Sequence, residues 1–236
     1  MRCNMKYKFT NPFKTLDRFE RWLLGISLIL VLASYLLSAD KSPLSLIASL
    51  VGATALIFVA KGLPIGQVLV IIFSLLYGAV SLQTRYYGEM ITYVGMSLPM
   101  AVASLVSWIK NPYEKGKGEV KVANLTAKKM VLLSVLTILV TVVFYFILGA
   151  LNTPRLVVST VSVLTSFLAA GLTFLRSPYY ALAYAGNDVV LIILWVAASV
   201  NDISYLPMVM CFAVFLANDI YGYISWQRMK TRQSGK

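Results

Sequence analysis

The chain has 236 residues, of which 59% are hydrophobic and 13% charged, and its mean hydropathy is +0.78. About a quarter of the residues of a soluble domain are charged, so this balance excludes a soluble globular protein and points to a multi-spanning membrane protein. The net charge of +12, in a chain with no histidine, reads as a topology signal and an attraction to anionic headgroups, not as a nucleic-acid footprint.

A helix needs about 20 mainly apolar residues to cross the hydrocarbon core, whereas spanning strands would alternate over about ten. Eight long, continuous runs meet the first requirement, at 22–39, 43–60, 63–82, 90–109, 130–151, 156–175, 178–200 and 203–226. Ahead of the first, Phe13, Leu16, Phe19 and Leu23 fall at helical spacing with charges between them, which predicts an interfacial amphipathic helix over 13–22. The first run follows basic residues as a signal peptide would. Its leader is long and its apolar stretch outlasts a typical h-region, so a retained helix is expected.

All Lys and Arg except Lys41, Arg85 and Arg155 fall on the side of the membrane that holds the N-terminus when eight spans are threaded in order. The positive-inside rule then puts both termini in the cytoplasm, and a plasma (inner) membrane location is expected. The one long connection, 110–129, is polar and contains glycine. It reads as a cytoplasmic linker between two halves, where the sequon Asn124-Leu125-Thr126 is silent. Cys3 lies in a tail and Cys211 in a span, which argues against a disulfide; without histidine the usual metal-ligand sets are missing, and no cofactor or metal is expected.

Internal similarity suggests a repeat. Ser107-Trp108-Ile109-Lys110 is echoed by Ser225-Trp226-Gln227-Arg228, Ser42-Pro43 by Thr153-Pro154, and the basic residue Lys61 by Arg176 in a second very short turn. The expected fold class is an all-α membrane protein of eight transmembrane helices, with two parallel three-helix bundles at 42–110 and 153–227. A linker helix within 111–152 joins them. An extra N-terminal helix at 22–41 follows a cytoplasmic segment at 1–21, and a tail at 228–236 closes the chain. Repeat-built transporters hold substrate near the midplane, between the repeats.

The ionisable residues well inside the predicted spans are Asp188 and Asp219. Inserting an aspartate at a helix centre costs about 2.5–3.5 kcal/mol, so each needs a partner, a wet cavity or a function. Helical steps from Asp188 reach Tyr184, Tyr180 and Trp195; steps from Asp219 reach Tyr223 and Trp226, and the neighbouring Asn218 adds Tyr221, Gly222 and Ser225. Two such faces suit a flat, polar-edged ligand, with rings stacking on it and Asn187, Asp188, Asn218 and Asp219 taking its hydroxyl and amide groups. A cationic ligand would gain further from carboxylates and ring faces. Gln67 and Tyr77, and toward the other surface Tyr87, Glu89 and Tyr93, are polar enough to line the same cavity. The blander readings are that Asn187 and Asn218 join helices by hydrogen bonds and that Trp108 and Trp226 are interfacial belt residues.

Asn187-Asp188 followed by Trp195, Asn218-Asp219 followed by Tyr221-Gly222 and Trp226, and Tyr87-Gly88-Glu89 with Pro99 resemble the Pnu-type vitamin transporter family over roughly 43–228. The resemblance implies the same 3+1+3 layout, shared with the SWEET sugar transporters, and a homotrimer. It also implies facilitated diffusion of nicotinamide riboside, or a closely related vitamin or nucleoside, trapped by cytosolic phosphorylation on the way to NAD biosynthesis. Thiamine, deoxynucleosides and riboflavin are the alternatives within the family. Members that carry nicotinamide riboside typically have W-x-x-W-x-x-x-N before the Asn/Asp pair. Here Tyr180 and Ala183 stand in that register, with Tyr184 beside them. The expected substrate contacts are Asn187, Asp188, Trp195, Asn218, Asp219 and Gln67, with Tyr180, Tyr184, Tyr221 and Trp226 shaping or gating the cavity. An intramembrane enzyme using Asp188 and Asp219 as an acid/base pair is the other functional class, but the nucleophile motif or metal cluster it requires is missing.

Overall fold

Backbone groups in lipid must find their hydrogen bonds within the chain, and this chain meets that demand with helices. The computed structural model describes residues 11–37, 42–83, 87–114, 118–153, 155–200 and 206–235. It contains α1 (Arg18–Leu37), α2 (Pro43–Ala60), α3 (Pro64–Gln83), α4 (Tyr87–Ile91), a π-helical segment (Thr92–Ser97), α5 (Leu98–Lys110), α6 (Ala127–Ala150), α7 (Leu156–Phe174), α8 (Tyr180–Ser199) and α9 (Leu206–Ser234). With α4, the π segment and α5 forming one span, eight helices are long and apolar enough to cross a membrane.

Six spans close a ring. α2 packs on α3, α3 on α5, α5 on α7, α7 on α8, α8 on α9, and α9 returns to α2. α1 lies outside this ring against α2 and α9, and α6 lies outside it against α7. Small residues permit the close approaches: a Cβ on Gly171 would come within 2.2 Å of Leu133 Cδ1 on α6.

The expected amphipathic helix over 13–22 is not what forms. Pro12–Thr15 make a short 3-10 turn, the chain breaks at Leu16, and α1 starts afresh at Arg18. The cause is a capping box, in which Glu20 N donates to Asp17 Oδ1 at 2.8 Å and Asp17 N donates to Glu20 Oε2 at 2.7 Å. Leu16 is buried with Leu24, Ile57 and Phe58, and the Phe13 ring meets Phe58 edge-on at 5.2 Å, so the segment folds back onto the protein.

α2 and α7 end in matched turns. Lys61 N, Gly62 N and Leu63 N donate to Ile57, Val59 and Phe58 oxygens; Leu175 N, Arg176 N and Ser177 N donate to Gly171, Thr173 and Leu172 oxygens. Gly62 (φ 64°) and Arg176 (φ 58°) occupy the same left-handed position, which suits glycine and strains arginine. The indoles close the pattern: Trp226 Nε1 donates to Val59 O at 2.9 Å and Trp108 Nε1 to Thr173 O at 3.0 Å, with ring centroids 5.4 Å apart. Trp108, 1% exposed, is therefore a core residue and not a belt residue.

The long connection also packs more tightly than a polar linker would. Val120 N donates to Gly62 O, Ala123 N to Arg176 O and Val122 N to Gln233 Oε1, and Val120 is fully buried beside Trp108, Trp226 and Met229. Gln233 and Met229 explain why α9 runs past 226 to Ser234: its last turns are held by that connection. Cys211 is a free thiol, and Cys3 lies outside the described residues.

Candidate functional site

The ring encloses a cavity of about 170 Å³. A water needs only about 10–15 Å³ of such space, so the cavity admits several waters or part of a small ligand. Each ring helix presents one face to it. α3 gives Gln67, Phe73, Ser74 and Tyr77; the broken fourth span gives Glu89, Thr92, Tyr93, Ser97 and Ser104; α7 gives Ser159, Ser162, Ser166 and Thr173. α8 contributes Tyr180, Tyr184, Asn187, Asp188 and Trp195, and α9 contributes Phe212, Phe215 and Asp219.

The face predicted from Asp188 assembles as one surface, since Tyr180, Tyr184, Asp188 and Trp195 all line the cavity with Asn187. Asn187 is 7% exposed, and its Oδ1 accepts from Ser162 Oγ at 3.0 Å and Thr165 Oγ1 at 2.9 Å. No acceptor is found for its Nδ2 among the described residues, so the amide can donate to a ligand. Asp188 is 4% exposed and its Oδ2 is buried without a donor among the described residues. A buried acceptor without a partner costs about 1–3 kcal/mol, so a ligand bringing a donor is rewarded. Asp219, 5% exposed, interacts with Asp188 across the contact between α8 and α9. Gln67, 3% exposed, adds an amide from α3.

Three expected site residues, the contact Asn218 and the shaping residues Tyr221 and Trp226, do not line the cavity. Asn218 turns outward, its Nδ2 donating to Ser27 Oγ at 2.9 Å and to Val214 O at 2.8 Å. Tyr221 donates its hydroxyl to Glu20 Oε1 at 2.8 Å. Trp226 is fully buried in the cluster with Trp108, Tyr180 and Val120, beyond the cavity wall that Tyr180 forms. On α9 it is Asp219 that turns inward; Asn218 is rotated from it by about 100° toward α1, Tyr221 by about 200°, and Trp226, on the face of Asp219, lies about two turns beyond the cavity. Tyr87 is half-exposed and also lies off the wall.

Other wall residues went unanticipated. The hydroxyls of Ser159, Ser162, Ser166 and Thr173 form a stripe at helical spacing on an otherwise apolar helix, a signal present in the sequence. Phe73, also unanticipated, forms an aromatic cluster with the expected Tyr77 and Tyr93, whose centroids are 4.4 Å apart and 5.6 and 5.7 Å from that of Phe73. Tyr93 and Thr92 sit in the π-helical segment just before Pro99. Proline lacks the N–H that would bond four residues back and its ring crowds that carbonyl, so the ladder is interrupted there. Three carboxyls, those of Glu89, Asp188 and Asp219, lie on the wall, and among the described lining residues there is no Lys or Arg.

Comparison with known proteins agrees with this architecture. The nicotinamide riboside transporter PnuC of Neisseria mucosa is 28% identical over 197 residues, covering 82% of this chain and 75% of the relative. The nicotinamide riboside transporter PnuC of Haemophilus influenzae is 25% identical over 231 residues, covering 98% and 97%. The crystal structure of the vitamin B3 transporter PnuC matches with a TM-score of 0.77 at 25% identity, over 92% of this chain and 94% of that one. The family model described as nicotinamide mononucleotide transporter matches residues 42–228. The chain belongs to that nicotinamide mononucleotide transporter family, whose matched members are membrane transporters and not enzymes.

Proposed function

We propose that this protein imports nicotinamide riboside by facilitated diffusion, with phosphorylation in the cytosol trapping the product. The observation that carries the choice of substrate is the composition of the wall: Glu89, Asp188 and Asp219 are present, with no Lys or Arg among the described lining residues. The phosphate of a mononucleotide would enter beside carboxyls with no cation to meet it. The riboside lacks that phosphate, and its positively charged pyridinium ring is complemented by carboxyls and by the faces of Tyr180, Tyr184 and Trp195. Asn187, Asp188, Asp219 and Gln67 take the ribose hydroxyls and the carboxamide.

The remaining parts of the reading rest on sequence pattern and resemblance. The distribution of Lys and Arg supports a cytoplasmic location for both termini and for the matched turns at Lys61 and Arg176. Those turns, with their crossed indoles, support two related three-helix units at 42–110 and 153–227. Assembly as a homotrimer, and transport without ATP or a coupling ion, follow from the resemblance.

The test is a calorimetric titration of the purified protein with nicotinamide riboside, its mononucleotide, thiamine, riboflavin and a deoxynucleoside, with uptake into proteoliposomes lacking any gradient. The riboside is expected to bind and enter, with the mononucleotide at least about 100-fold weaker, the scale of several kcal/mol for like charges brought together. Equal affinity for the mononucleotide, or uptake that requires an imposed gradient, would overturn the proposal.

A further inference from the structure

Glu20 is 2% exposed, yet the cavity does not use it. It lies in the first turn of α1, a helix that precedes the family match at 42–228. A capping box asks one hydrogen bond of this side chain; here the carboxylate has several partners. Lys61 Nζ donates to both of its oxygens, at 2.9 and 2.7 Å, and Tyr221 on α9 donates to Oε1 at 2.8 Å. About two turns further along the same face, Ser27, also 2% exposed, accepts from Asn218 at 2.9 Å. Glu20 and Ser27 are seven residues apart and share a face of α1; Asn218 and Tyr221 are three apart and share a face of α9.

These contacts grip α9 on the side away from the cavity. Rotation of α9 about its axis decides whether position 219 or position 218 faces the ligand, and both gripped residues resist that rotation. Lys61 anchors Glu20 to the end of α2, which packs on both α1 and α9, so the strut has a fixed base. We propose that α1 is a positioning element for the transport site, in which Glu20 and Ser27, through Tyr221 and Asn218, hold the Asp219 carboxyl at its place in the cavity. The inference rests on the reading that Asp219 contacts substrate.

Substituting Glu20 or Lys61 would bury an unpaired charge and risk unfolding. Tyr221→Phe combined with Ser27→Ala removes only the links to α9. In the full-length protein, with nicotinamide riboside as the titrant, this double variant is expected to bind roughly fivefold more weakly, a coupling typical of residues in one network. Combined with Asp219→Asn, the same double variant is expected to cause no further weakening, because the strut acts through that carboxyl. An unchanged affinity with a lowered unfolding temperature, or the same fractional loss in both backgrounds, would overturn the proposal and leave α1 a stabilising helix. If Asp219→Asn alone leaves the affinity unchanged, the site reading fails together with the strut; if it weakens binding while the double variant does not, the strut alone fails.

Discussion

At Asp188 a buried carboxyl oxygen has no donor among the described residues, and the adjacent Asn187 has its oxygen occupied by two hydroxyls of α7, with no acceptor for its amide nitrogen among the described residues. The pair thus offers one acceptor and one donor, side by side and held from behind. Removing one partner so that a buried polar group is left unsatisfied costs about 1–3 kcal/mol. Asp188→Asn, which keeps the shape and turns an acceptor into a donor, is expected to weaken nicotinamide riboside binding roughly 10- to 100-fold by that scale. Calorimetry on the purified variant, with its thermal unfolding as a folding control, measures this; unchanged affinity removes Asp188 from the site. The residues legible in advance were those on α8, because Tyr180, Tyr184, Asp188 and Trp195 recur at helical spacing around an obvious polar interruption. Asn218 was misplaced because a polar pair in an apolar helix does not say which of its two members turns inward. Here Ser27, far away in sequence, supplies a partner for one of them.

Among the elements, the fourth span and α7 carry the clearest departures from regular apolar helices. The fourth is broken by a π segment at Thr92–Ser97, upstream of Pro99, and that break turns Thr92 and Tyr93 to the cavity. Proline and Gly95 were visible in the sequence, but the change of helical repeat that follows depends on packing against α3 and α7. On α7 the close approach at Gly171 makes a sharp stability prediction. A Cβ there would overlap Leu133, so Gly171→Ala is expected to destabilise the protein by about 1–3 kcal/mol, the usual cost of overpacking, despite the gain in helix propensity. Thermal or denaturant unfolding in detergent measures the change. A stabilised variant would mean that the Leu133 side chain turns aside to admit the methyl group.

For the whole molecule, the closed ring α2–α3–α5–α7–α8–α9 gives the polar faces a shared interior, while α1 and α6 pack outside it. One end of that interior is closed by Trp108, Trp226, Tyr180 and Val120, with the connection before α6 laid across both matched turns. By the distribution of basic residues, the proposed orientation puts this end in the cytoplasm. In a cysteine-free background, Lys121→Cys is expected to react with a membrane-impermeant thiol reagent only after cells are opened, and labelling in intact cells would reverse the topology. Hydropathy alone determined that the chain is an eight-span helical membrane protein, because lipid leaves each long apolar run no alternative to an internally bonded helix. Hydropathy could not show which side of each helix faces the cavity, since these spans are apolar nearly all round and lack the polar face that orients a soluble helix. That choice is made by contacts distant in sequence. Ser27 and Glu20 hold α9 so that Asp219 faces inward and Asn218 and Tyr221 outward, and Val59 O draws Trp226 out of the cavity and into the seal.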